Sequence, residues 1–100
     1  MNRNSRRGPV TKDEAETIAL AALEFLAAEP ARVTRFLALT GVSAAELMAG
    51  AGSHLMQASL LEHILGDESL LLAFATHAGV APDRIAPAQR CLAGAHGNGG

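Results

Sequence analysis

The chain has 100 residues, a formal net charge of −2, three aromatic residues and one cysteine. That length is one domain, and the lone Cys91 excludes a disulfide framework within the chain, so nothing points to secretion. No strictly apolar run is longer than Leu70 to Ala75, far short of the roughly 20 residues that cross a bilayer, and the expected residence is cytoplasmic.

Much of the 49% hydrophobic content is alanine, the best helix former, while strand-forming β-branched and aromatic residues are scarce. The expected class is all-α. Charge is uneven. Arg3, Arg6 and Arg7 precede the first acid, Asp13, and leave −5 on the remainder. Residues 1–10 are polar and punctuated by Gly and Pro, and are expected to be a disordered basic tail without the apolar stretch of a signal peptide. One helical domain should occupy 11–93, followed by a disordered Gly-rich tail over 94–100.

Thr11-Lys12-Asp13-Glu14 has the form of a capping box, in which Thr11 and Glu14 satisfy each other's amides. The first helix then runs to about Ala28, with Ala15, Ile18, Ala22, Phe25 and Leu26 on one face. Leu20 falls on the opposite, polar stripe with Asp13, Thr17 and Glu24. Pro30 suits the first turn of a second helix, which buries Val33, Phe36 and Leu37 and ends near Leu39. Arg32, Arg35 and Leu39 lie on its other side, and Gly41 fits a left-handed stop.

Ser43-Ala44-Ala45-Glu46 is a second capping box and opens a short third helix, ended by Gly50. Ser53 caps a fourth helix that reaches Leu65, with Leu60, Leu61, Ile64 and Leu65 as its apolar face. Gly66 stops it. Asp67 caps a fifth helix over about 68–78, and Glu68 complements its positive end. That helix is apolar nearly all round, which predicts burial at the centre of the domain. Pro82 opens a sixth helix that points Ile85, Ala88 and Leu92 inward, and Pro87 is expected to kink or split it. The predicted fold is a compact array of about six short helices.

Few residues here are arranged for chemistry. Phe36 to Leu47 has the outline of a helix-turn-helix, but the third helix offers no Arg, Lys, Asn or Gln to read base edges, and Glu46 repels phosphate. The basic tail, with Arg32 and Arg35, carries too few charges for strong nucleic-acid binding, and there is no Tyr or Trp for base stacking. His54 and His63 fall on opposite faces of one helix and cannot share a metal. A His63–Asp67 hydrogen bond is possible across the Gly66 break. Cys91 has no base placed beside it and no nucleophile signature around it, so it reads as a half-buried thiol. No metal, cofactor or catalytic centre is expected. Asp67 and Glu68 form an acidic corner that suits a basic partner, although a helix cap explains Asp67 as well.

The segments Arg35-Phe36-Leu37-Ala38-Leu39-Thr40-Gly41 and Leu61 to Ala75, around His63-Ile64-Leu65-Gly66-Asp67-Glu68-Ser69-Leu70-Leu71, carry a further signal. In them the chain resembles a family of short bacterial proteins, mainly alphaproteobacterial, known only as domain of unknown function 3572. The resemblance spans about Thr11 to Leu92, with Pro87 and the Arg-bearing tail as departures. It implies a stand-alone bacterial helical protein and brings no activity to any residue. The function expected is a non-enzymatic protein–protein interaction module, self-associating or docking to another protein. Candidate contact residues are Leu20, Arg32, Arg35, Asp67 and Glu68. The alternatives are a nucleic-acid-associated accessory protein using the basic tail, and a small-molecule binder with a pocket beside the fifth helix.

Overall fold

A computed structural model describes residues 8–98, with side chains through Ala95. It contains α1 (Lys12–Ala27), α2 (Pro30–Thr40), α3 (Ala44–Gly50), α4 (His54–Leu65), α5 (Glu68–Ala78), a 3-10 turn (Pro82–Arg84) and α6 (Ile85–Asn98). The basic residues Arg3, Arg6 and Arg7 lie outside the described part.

Each helix begins and ends where local chemistry allows. Thr11, Ser43, Ser53 and Asp67 each accept an amide hydrogen bond three residues on, at 3.0–3.1 Å. These bonds satisfy donors that the first turn leaves free. Ser43 and Glu46 complete the reciprocal capping box. Thr11 and Glu14 form only half of theirs, because the Glu14 carboxylate is held by Arg84. Gly41 (φ 78°) and Gly79 (φ 70°) end α2 and α5 in the left-handed region, where a Cβ is strained.

The core is built by α1, α4 and α6, which pack on one another more extensively than any other helices. Ala15, Ala19 and Ala22 of α1 are fully buried and small enough for close helix approach. Leu60, Leu61 and Ile64 come from α4, and Ile85, Ala88 and Leu92 from α6. Two aromatic contacts fasten the outer helices. Phe25 of α1 meets Phe74 of α5 with ring centroids 5.5 Å apart. Phe36 of α2 meets the His63 ring of α4 edge-on at 5.2 Å. Phe36 has no exposed surface, and truncating such a ring to alanine typically costs about 3–5 kcal/mol.

Three expectations are corrected. First, α5 is not the centre: of its residues only Phe74 and Ala75 are buried, and Leu72 is 48% exposed. The Cα trace measures 42 × 34 × 18 Å. A helix with its side chains is about 10–12 Å thick, so the short dimension holds two layers and every helix keeps an outer side. Second, the split expected at Pro87 lies ahead of the proline: the helical run that Pro82 opens divides into the 3-10 turn and α6, beside Asp83, four residues before Pro87. Pro87 itself is the third residue of α6, in a first turn whose amides have no partner within the helix. Third, the stretch expected as a disordered Gly-rich tail over 94–100 is helical through residue 98 as the end of α6, since Ala93 and Ala95 favour helix and a glycine costs only about 1 kcal/mol; residues 99–100 lie outside the described part.

Candidate interaction surface

The five residues singled out from the sequence sit on three helices, and no hydrogen bond or ion pair joins them among the described residues. Leu20 projects from α1 with 51% of its surface exposed, as its place on the polar stripe requires. Leu39, expected beside the arginines of α2, is 65% exposed.

Arg32 has a structural task. Its guanidinium lies 4.0 Å from the centroid of the Phe25 ring, and Nη1 donates to the Phe25 carbonyl at 3.3 Å. That carbonyl belongs to the last turn of α1, where a cation is favoured by the helix dipole. The stacked arginine ties α2 back to the end of α1. Arg35, by contrast, is exposed.

Asp67 spends its carboxylate on the amide of Leu70 as the cap of α5. The hydrogen bond to His63 raised by the sequence does not form. His63 Nε2 is buried without a hydrogen-bond partner. Burial holds the His63 imidazole below its ordinary titration range; the nearby Arg35 charge adds to this, and the Asp67 charge opposes it. Glu68 is exposed at the first position of α5.

Among the described residues, one histidine–carboxylate hydrogen bond and one ion pair had no sequence signal, because their partners are far apart in the chain. His54 Nε2 lies 2.6 Å from Glu16 Oε2, tying the start of α4 to α1. Arg84 holds both oxygens of Glu14, through Nε at 3.0 Å and Nη2 at 2.7 Å. Its Nη1 also donates to the Gly8 carbonyl at 2.7 Å. The hydrogen bonds to Glu14 push the Arg84 pKa up. This pair forms part of the wall of an open cleft of about 1450 Å³ between the chain preceding α1 and the α5–α6 connection. Glu14 and Arg84 are paired with each other, and Asp83 is a further charged residue of the wall.

The outward side of α5 is what sequence reading missed. Ser69, Leu72, Ala73 and Thr76 are all exposed, at the spacing of one helical stripe. Beside Leu72 runs a shallow groove of about 340 Å³, lined by Ala75, Thr76, Val80, Ala81 and Pro82 among others, with no charged residue in its wall. Only the tertiary packing, two layers thick, reveals which side of an all-round apolar helix faces water.

Among the described residues, no group of three or more His, Cys, Asp or Glu side chains is arranged to hold a metal ion. No helix there is long and apolar enough to cross a membrane. No curated protein and no solved structure matches the chain. Residues 12–95 do match a protein family described as of unknown function (DUF3572), and the match takes in all of α1 through α5 and most of α6. With the greater part of its length covered, this chain belongs to the DUF3572 family of proteins of unknown function.

Proposed function

We propose that the protein is a non-enzymatic protein–protein interaction module of the bacterial cytoplasm. The observation that carries this reading is the outward side of α5. Leu72 and Ala73 stand in water between Ser69 and Thr76, next to an uncharged groove. Leu72 and Ala73 are the apolar pair of this face, flanked one turn away on either side by the hydroxyls of Ser69 and Thr76. Leu20 on α1, Leu39 on α2, Met48 on α3 and Leu55 on α4 are further exposed apolar side chains. Single exposed leucines are ordinary. A stripe on a helix that also borders an apolar groove gives a partner more to cover.

The test combines sedimentation of the purified full chain with affinity capture from its own host. The expected result is self-association or a specific partner, lost on Leu72→Asp or Leu20→Asp while the helical circular dichroism is kept. A strictly monomeric wild type that captures no partner would overturn the reading.

A further inference from the structure

The seam between α2 and α4 contains a polar group that nothing satisfies. Phe36 is the buried anchor of α2, and it meets the edge of the His63 ring at 5.2 Å and 85°. His63 Nε2 lies inside this seam with no hydrogen-bond partner. A neutral imidazole tolerates that position if its proton is on Nδ1, since the orphan atom is then a single weak acceptor. A protonated imidazole does not, because both ring nitrogens become donors and the ring carries a charge. Burying a charged donor without a hydrogen-bond partner costs much more than burying an unpaired neutral acceptor.

The charged groups acting on the ring are Arg35 of α2 and Asp67 at the α4–α5 turn. Arg35 repels the protonated ring. Asp67 attracts it, but its carboxylate also serves the Leu70 amide. The ring is half-exposed, so protonation has a cheap outlet: the side chain turns to water and leaves Phe36 without its neighbour. Helix α2 is sensitive to this loss, because Phe36 is its only buried residue. The remaining holds on α2 are Arg32 on Phe25 of α1 and the partly buried Val33 and Leu37.

We propose that His63 is a pH-sensitive latch, which keeps α2 seated on α4 while neutral and releases α2 when it takes up a proton. Desolvation of the ring and the field of Arg35 both disfavour the proton in the closed form. The closed form therefore holds fully above the ordinary imidazole range of about pH 6.5 and loosens as pH falls below it.

Hydrogen exchange of the full chain between pH 7.5 and pH 5.0, corrected for the intrinsic rate, reads this directly. The expected result is that α2 amides lose protection relative to α1 amides by about threefold or more on acidification. His63→Gln should hold that ratio flat. Arg35→Gln should shrink the response, since it removes a repulsion. Asp67→Asn should enlarge it, since it removes an attraction while an Asn cap remains. The last two variants keep the test decisive if His63→Gln does not fold. An α2/α1 ratio that stays constant in the wild type overturns the proposal. So does a response unchanged in His63→Gln, or one that Arg35→Gln and Asp67→Asn move in the same direction.

Discussion

Arg84 and Glu14 stand 70 residues apart in sequence, yet the guanidinium of one grips both carboxylate oxygens of the other at 3.0 and 2.7 Å. This fork joins the start of α1 to the start of α6, two of the three helices that make the core, and the same arginine holds the Gly8 carbonyl. Planar, two-point pairing is the geometry in which an arginine–carboxylate contact adds orientation as well as attraction. Arg84→Lys keeps the charge and loses the fork. It is expected to lower the thermal midpoint nearly as much as Arg84→Ala. The Glu14→Gln/Arg84→Ala double variant should then lose less than the two single losses together. Thermal melts of wild type, Arg84→Lys, Arg84→Ala, Glu14→Gln and the double variant check this; strict additivity would mean that the pair does not act as a unit.

Pro87 stands in the first turn of α6, where its missing N–H removes no helix bond. Pro87→Ala is therefore expected to change stability by less than about 1 kcal/mol. A proline inside the helix would cost about 3 kcal/mol or more, and its replacement would return that amount. Denaturant unfolding separates the two cases. A large gain on substitution would place the proline within a strained ladder.

Asp67 acts as the cap of α5. Asp67→Ala is expected to cost about 1 kcal/mol. It should leave partner binding or self-association intact once stability is allowed for. Asp67→Ser, which keeps a capping oxygen without the charge, should recover most of the loss. Loss of binding in Asp67→Ser at full stability would instead make the acidic corner a contact site.

Most of the helix boundaries were legible because they are set by residues acting within three or four positions of themselves. Ser43 with Glu46, Ser53, Asp67, Gly41 and Gly79 all do in the fold what their chemistry dictates. Leu20 and Leu39 were legible too, since each lies on the polar side of an amphipathic helix. What stayed hidden depends on residues far apart in the chain. Glu14 was expected to close its own capping box and is instead captured by Arg84. The stripe on α5 was expected inside, because the sequence shows that the helix is apolar but not that only two layers exist to cover it. Arg32 was expected on a contact surface; its stacking on Phe25 depends on the turn between α1 and α2.

The reading of this chain as an interaction module stands or falls with the outward side of α5. Sedimentation equilibrium of wild type and Leu72→Asp, each over a wide concentration range and with any captured partner added, is the most direct measurement. The expected result is an association in the wild type that Leu72→Asp weakens at least about tenfold, the effect of placing a charge in an apolar contact. Both proteins should show the same helical circular dichroism. An association equally strong in both proteins, or none in either, would contradict it.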